Sequence, residues 1–349
     1  MRLKTRNSRN LRAFTLLELV VVLAILAVVT AMATRTLSNM EDQRRFESSQ
    51  QGLNQLQLAV LGSDDERAPD GTRINTGFVA DMGRLPQTVI DPTLTPEQLT
   101  LRELWVNPGA SFDARQATAV NGVPADDVDT QVLVPGGWRG PYIRLPLGAN
   151  NLLDGWGNGY SSPTTIPSDP DLAATTGYPR LRDASDAAIA TPGRSIVLVR
   201  NLGADGRLDS SDSTGYNRDQ AIAFTDDLVH ASLKGSVEVM NGDSPAAADP
   251  SGSATTGTVT VKIFAPNPAN AVQIVVYKTS VTFTSNPVNY EISPTTLAAS
   301  AALTIGPRIV RAYFTPASIT APETTFTKSA VKTVVFRPGV NIQDLKIDR

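Results

Sequence analysis

The sequence predicts an α+β protein in which a long N-terminal helix packs on a small α+β head and an all-β sandwich follows. Two observations carry this prediction. Residues 14–61 contain no proline and a single glycine, as a long uninterrupted helix requires. After residue 227, short runs of alternating apolar and polar residues are separated by stretches rich in Gly, Pro, Ser and Asp, which is typical of antiparallel strands joined by turns.

The composition excludes several classes of function. The 349 residues carry 31 basic and 34 acidic side chains, so the chain lacks the basic excess of a nucleic-acid-binding protein, and we expect no nucleic-acid partner. The chain has no cysteine, which excludes thiol catalysis, thiolate metal sites and disulfides. It has a single histidine, His230, and no H-E-x-x-H helix or Gly-rich nucleotide loop. We therefore predict that the protein is not an enzyme.

The first 34 residues predict a membrane anchor. Residues 1–13 hold five basic side chains and no acid, and residues 14–34, FTLLELVVVLAILAVVTAMAT, contain Glu18 as their only charge. At about 1.5 Å per residue this segment spans about 32 Å, enough for a hydrocarbon core of about 30 Å. The basic leader predicts that the N-terminus stays in the cytoplasm and that the rest of the chain lies outside.

Two ordinary hypotheses fit this pattern. One is a plain signal anchor, and the other is a signal peptide cut after the A-M-A of residues 31–33. The signal anchor explains everything except Glu18, because a carboxylate in a membrane segment is costly and marks a functional site by default. The alternative for Glu18 is that it lies shallow and reaches the headgroups.

The string AFTLLELVVVLAILAVV after a basic leader resembles the class III signal of type IV pilins and pseudopilins. This resemblance implies that residues 1–13 are a leader, that prepilin peptidase cleaves between Ala13 and Phe14, and that the new amine of Phe14 is methylated. It also implies that Glu18 pairs with the N-terminal amine of a neighbouring copy during homo-oligomeric assembly. Most members have Gly where this chain has Ala13. Other pilins or pseudopilins and an inner-membrane assembly platform are the further implied partners.

The helix is expected to continue beyond the membrane, over residues 14–62. Gly62, followed by Ser-Asp-Asp, predicts the end of the helix. One face of the second half is apolar at helical spacing, through Phe46, Leu53, Leu56 and Val60. The resemblance then implies a pilin-like globular domain over residues 63–227.

Three segments of this head recur in prepilin-type proteins: GFVADMGRLPQ (77–87), GGWRGPYI (136–143) and LLDGWGNGY (152–160). The last two resemble the loop region of the major type II secretion pseudopilin. We interpret their aromatic residues as anchors that pin Gly-rich loops to a small core. Residues 95–105 predict a short capped helix, and residues 107–137 an exposed insertion.

The segment after the predicted strand 195–200 is an acidic, Gly-rich loop. Seven of its residues fall at positions 1, 3, 5, 6, 7, 9 and 12 of the calcium-loop template, namely Asn201, Gly203, Asp205, Gly206, Arg207, Asp209 and Asp212. Its L-G-A-D-G resembles the segment of the major pseudopilin where calcium orders the loops. The prediction is a structural calcium held by Asn201, Asp205, the Arg207 carbonyl, Asp209 and Asp212. The alternative is a solvated turn.

Residues 228–349 predict an all-β sandwich, immunoglobulin-like or transthyretin-like, outside the pilin resemblance. Predicted strands cover 232–240, 257–266, 271–285, 307–316 and 328–339. An added sandwich of this kind suggests surface contact with a partner.

Together these observations favour a structural subunit of a type II secretion pseudopilus or a type IV pilus-like fibre. We expect it in the bacterial inner membrane, with its C-terminal domains in the periplasm or exposed on a fibre. The alternative is a monomeric membrane-anchored adhesion protein whose β domain recognises a protein or a glycan.

The first testable prediction is that the mature chain begins with N-methylated Phe14. Intact mass and N-terminal sequencing measure it directly. An N-terminus at Thr34 would instead show signal-peptidase cleavage, and an intact Met1 would show a simple anchor. Replacing Ala13 with a bulky residue should accumulate the precursor.

Overall fold

A computed structural model describes residues 16–63, 77–94, 97–109, 113–116, 133–163, 180–185, 187–189, 191–206, 215–241, 244–245, 257–268, 270–293, 303–316 and 329–348. It confirms an α+β chain in which a long apolar helix is followed mostly by β-sheet.

The long helix α1 runs without interruption over Leu16–Leu61. Gly62 ends it in a left-handed conformation (φ 84°) and donates its N–H to the Leu58 carbonyl at 2.8 Å. In the second half, buried residues recur at helical spacing: Ser49, Leu53, Leu56 and Val60. Gly52 costs this helix about 1 kcal/mol relative to alanine, but each buried Leu contributes about 1.5–3 kcal/mol, so packing decides that the helix continues.

Short elements build the head, which we define as the described residues 77–229. Its helices are α2 (Phe78–Met82) and α3 (Asp226–Val229), with 3-10 turns at Arg102–Leu104 and Gly215–Asn217. Its strands are β1 (Val89–Asp91), β2 (Gln98–Thr100), β3 (Asp113–Gln116), β4 (Leu133–Gly136), β5 (Ser161–Pro163), β6 (Leu181–Arg182), β7 (Leu198–Asn201) and β8 (Gln220–Ala223). They pair as β1-β2-β5, β3-β4 and β6-β7-β8.

One apolar core joins α1 to the head. Leu53, Leu56 and Val60 of α1 pack with buried side chains from α2, the strands and the segments between them, among them Phe78, Leu99, Leu101, Leu104, Tyr160, Leu181 and Val199. The small sheets are therefore held by packing against α1 rather than by their own few hydrogen bonds.

Two predictions for the head were wrong. Residues 95–105 do not form a helix, because their described part is strand β2 followed by a 3-10 turn. Leu99, Thr100 and Leu101 are all fully buried, so tertiary packing overrides the local helix signal. The region 107–137 is not simply an exposed insertion, since its two ends pair as the β3-β4 hairpin and Val134 is buried.

The sandwich, which we define as the described residues 231–348, consists of two facing sheets. Its strands are β9 (Ala231–Asn241), β10 (Ser244–Pro245), β11 (Gly257–Asn267), β12 (Asn270–Thr282), β13 (Val288–Ile292), β14 (Gly306–Pro316), β15 (Ser329–Phe336), β16 (Gly339–Ile342) and β17 (Leu345–Asp348). One sheet has the order β12-β11-β14-β15, and in the other β9 pairs with β10, β13, β16 and β17. Their inner faces share one core, including Val237, Val261, Ile263, Val310 and Phe314.

The five strands predicted from alternation are present, whereas β10, β13, β16 and β17 were not predicted. β16 and β17 pair with β9 in parallel, over four residues each. The particular sandwich type, and the domain limits 1–13, 14–62, 63–227 and 228–349, stay predictions.

Head and sandwich pack directly against each other. Val134 of β4 joins Phe264 and Ile274 on the outer face of the four-stranded sheet. Gly306 (φ 116°) lies so close to Ala80 of α2 that a side chain there would collide with the helix backbone. The two parts therefore share an apolar interface.

The buried Arg308 of β14 lies at the centre of this interface. Its guanidinium donates to the carbonyls of Ala80 (2.9 Å) and Ile305 (2.6 Å) and to the Thr304 hydroxyl (2.9 Å). Burial lowers its pKa to about 10, while the nearby Asp81 raises it. Arg308 is therefore charged at neutral pH and is held by oxygen acceptors from both parts.

We predict that Arg308→Met destabilises the protein by about 3 kcal/mol, because it leaves buried carbonyls without a donor. Thermal unfolding of the full chain in detergent measures the effect. The control Arg337→Met removes an exposed guanidinium from the same sandwich and should change stability by less than about 0.5 kcal/mol. Equal melting of the two variants would contradict a locking role for Arg308.

Candidate functional site

The first half of α1 is apolar on every side and packs against nothing in the described part of the chain. Its large side chains are about half to four-fifths exposed, from Leu16 (81%) to Val29 (56%). Within that part, α1 is the one helix long and apolar enough to cross a membrane. A helix that is apolar all round requires a lipid environment or other helices around it.

Two hydroxyl groups in this segment are satisfied within the helix itself. Thr30 donates to the Leu26 carbonyl at 2.6 Å, and Thr34 donates to the Thr30 carbonyl at 3.0 Å. No water is available in a bilayer core, so internal hydrogen bonds of this kind are what lipid-exposed hydroxyls need. The segment can therefore lie in hydrocarbon with Glu18 as its one strongly polar side chain.

Glu18 lies in the first turn of α1 and is exposed. At this position a carboxylate is stabilised by the positive end of the helix dipole. Ala13 and Phe14, the predicted processing residues, lie outside the described residues, so the predicted pairing of Glu18 with a neighbour's N-terminal amine remains a prediction.

The loop of LLDGWGNGY clamps the second half of α1. The Gly155 N–H donates to the Ser49 hydroxyl at 2.9 Å, and Ser49 in turn donates to the Arg45 carbonyl at 2.9 Å. Gly155 packs so closely on the backbone of Arg45 that a Cβ would collide with it. The motif needs glycine here because loop backbone meets helix backbone.

Asp154 fixes the shape of this loop. Its buried carboxylate accepts the N–H groups of Trp156 (2.9 Å) and Asn158 (2.8 Å) and an Arg180 Nη1–H (2.7 Å). The ion pair is nearly inaccessible, with Asp154 fully buried and Arg180 5% exposed. A buried, multiply hydrogen-bonded carboxylate is a structural support for the clamp.

The aromatic residues of the motifs act as anchors in this structure. Tyr160 is fully buried, and burial raises the pKa of its hydroxyl. The Trp156 ring lies 5.7 Å from the Arg45 guanidinium, and Phe46 meets Tyr216 edge to face at 5.9 Å. Each of these contacts joins α1 to the head at the end closest to the apolar segment.

The other two motifs meet around Asp81. The Tyr142 hydroxyl donates to Asp81 at 2.8 Å, and Arg139 forms an ion pair with it at 3.1 Å. Burial and the Asp81 charge both raise the pKa of Tyr142. The Trp138 indole donates to the Glu103 carbonyl at 2.8 Å, and the Glu103 carboxylate takes a bidentate pair from Arg84 at 2.7 and 2.8 Å.

Sequence reasoning did not identify Glu103, Arg84, Arg180 or Arg308 as important. Their partners lie far away in the chain, so no local spacing marks them. The one available signal was the position of Asp81 and Asp154 inside the recurring motifs, because a carboxylate in an apolar motif requires a partner.

The structure describes part of the predicted calcium loop. Asn201 is buried at the end of β7, and its side-chain oxygen has no hydrogen-bond partner in the described part of the chain. Asp205 is exposed, and Gly203 and Gly206 have positive φ, as the turn requires. Arg207, Asp209 and Asp212 lie outside the described residues. Among the described residues, no group of three acidic or histidine side chains could hold a metal.

Comparison with known proteins finds one match. Residues 8–34 match the family described as the prokaryotic N-terminal methylation motif. The match covers the end of the leader and the apolar segment, and it indicates a pilin-like protein that prepilin peptidase processes. No curated protein and no solved structure matches the chain.

We predict that calcium raises the melting temperature of the full chain in detergent, since an ion bound only by the folded state stabilises it by mass action. At a free calcium of about 100 times the dissociation constant the gain is about 2.7 kcal/mol. Asp205→Asn should reduce the gain, whereas Asp227→Asn, an exposed control outside the loop, should not. Identical melting of the unmodified chain with calcium and with chelator would make this loop a solvated turn.

Proposed function

We propose that the protein is a structural subunit that assembles through its N-terminal helix into a type II secretion pseudopilus or a type IV pilus-like fibre. The observation that carries this proposal is the division of α1 into two halves. The methylation motif covers a half that packs against nothing in the described chain, and the other half is clamped rigidly to a globular head.

An exposed apolar helix on a rigid head can associate with the same helix of other copies. Lipid tails solvate an apolar helix well, so the hydrophobic effect does not drive helices together in a bilayer. Association must therefore come from close packing between helices and from polar pairs. Glu18 and the new amine of Phe14 supply such a pair. Two opposite charges in a medium of low dielectric attract strongly, and a copy added out of register would leave both without their partner.

The pseudopilus is the preferred machine because LLDGWGNGY and LGADG resemble the major pseudopilin, and the first of these motifs is the segment that clamps α1. The basic leader favours an inner-membrane precursor with the head and the sandwich in the periplasm. A calcium ion bound near Asn201 and Asp205 would stiffen the loop between β7 and the turn at Gly215–Asn217, whose Tyr216 contacts α1.

We predict that Glu18→Val leaves membrane insertion and cleavage intact, because the segment only becomes more apolar, but weakens or abolishes fibre formation. The matched control is Glu47→Val, which removes an exposed carboxylate from the same helix beyond the apolar segment. Shearing fibres from cells and blotting separates assembled from cellular protein. Cleavage is read from the mass of the cellular fraction.

Normal fibres from Glu18→Val in the presence of unmodified partners would make the charge pair dispensable. The absence of any assembly by the unmodified protein, with a correctly methylated Phe14, would favour the monomeric membrane-anchored adhesion protein instead.

A further inference from the structure

The loop of LLDGWGNGY contains an asparagine followed directly by a glycine. The sequence has three such pairs, and Asn158-Gly159 is the one whose two residues both lie in the described part of the chain. Asn158 and the preceding Gly157 are exposed. The Asn158 side chain is therefore open to water, although Gly155 of the same loop is bonded to α1.

The backbone nitrogen of Gly159 is available for reaction. The antiparallel bridge at Gly159 is of the kind in which the neighbouring residues carry the hydrogen bonds. The Asp154 N–H donates to the Asn158 carbonyl at 2.8 Å, and the Tyr160 N–H donates to the Leu152 carbonyl at 3.0 Å. The Gly159 N–H makes no hydrogen bond in the described part of the chain. Glycine also has no side chain that would shield this nitrogen.

Within the described residues, one long hydrogen bond holds the side-chain amide of Asn158. Its Nδ2 lies 3.4 Å from Asp154 Oδ2, and the same oxygen accepts a 2.7 Å bond from Arg180. Ordinary N–H···O bonds measure about 2.7–3.2 Å, so the contact of Asn158 is a weak one. The carboxamide can therefore rotate toward the Gly159 nitrogen at little cost.

We propose that Asn158 is a site of spontaneous deamidation and that its products loosen the clamp on α1. The Gly159 nitrogen attacks Cγ of Asn158 and forms a C–N bond, and the side-chain amino group leaves as ammonia with the proton that this nitrogen loses. The result is a five-membered succinimide. Water then opens the ring at one of its two carbonyls and leaves aspartate or isoaspartate. This inference concerns the folded chain and does not rest on assembly into a fibre.

Both products disturb the support of the clamp. Aspartate at position 158 replaces a donor with a carboxylate beside the fully buried carboxylate of Asp154, and like charges repel strongly where water is scarce. Isoaspartate adds one carbon to the backbone, so the hydrogen bonds on the two sides of Gly159 lose their common register. Either change shifts the loop whose Gly155 holds Ser49 of α1.

Peptide mapping by mass spectrometry measures the conversion in the full chain, kept folded in detergent at mildly alkaline pH. Asn150 is the internal control, because it is exposed in the same part of the head but is followed by Asn151. We expect Asn158 to become a mixture of aspartate and isoaspartate while Asn150 persists. An unchanged Asn158 in the folded chain, under conditions in which the urea-unfolded chain converts, would overturn the proposal.

The variant Asn158→Asp separates the effect of this site from that of the other Asn-Gly pairs. Its melting temperature, followed by circular dichroism in detergent, should fall by at least about 2 °C, and the matched control Asn150→Asp should melt like the unmodified chain. Equal melting of the two variants would overturn the link to the clamp. If Asn158→Asp does not fold, hydrogen exchange of the converted unmodified chain replaces it. The Gly155 amide, bonded to Ser49, should then exchange faster than before conversion, and an unchanged rate would overturn the same link.

Discussion

The structure depends on one constraint: a single unbroken helix lies in two different environments, with its first half apolar and exposed and its second half packed in the core of the head. The first half of α1 offers no face that its own chain covers in the described residues, so all of the packing that holds the helix comes from the second half. The apolar core around Leu56 provides that hold together with the backbone contact at Gly155, in a loop that the buried Asp154–Arg180 pair keeps in shape. A loosely held helix could not transmit its position in an assembly to the head.

The periodic parts of this fold could be predicted from the sequence, and the non-local parts could not. The length of α1 follows from the absence of proline, and the sandwich strands follow from alternation. The helix prediction for 95–105 was wrong because a Thr-Pro pair indicates a helix start, whereas Leu99 in strand β2 and Leu101 directly after it are buried in the head core. β16 and β17 were missed because four-residue parallel strands carry too little alternation to stand out.

The same limit applies to the site. Glu18 could be identified because a single charge in an apolar segment stands out in the local sequence. Arg308 could not, because its acceptor Ala80 lies 228 residues away and an arginine on a strand is ordinarily a surface residue. Its burial shows that the sandwich is joined to the head by specific hydrogen bonds as well as by apolar contact. The sandwich is therefore not a freely hinged appendage.

This connection bears on the proposed assembly. In the described residues, the clamp at Gly155 joins α1 to the head, and the interface at Arg308 joins the head to the sandwich. If copies associate through α1, these contacts hold each sandwich in the same orientation relative to its helix. The sandwiches would then repeat along the assembly at fixed intervals, and a partner that contacts several copies at once would bind more tightly through multivalency, without any new contact.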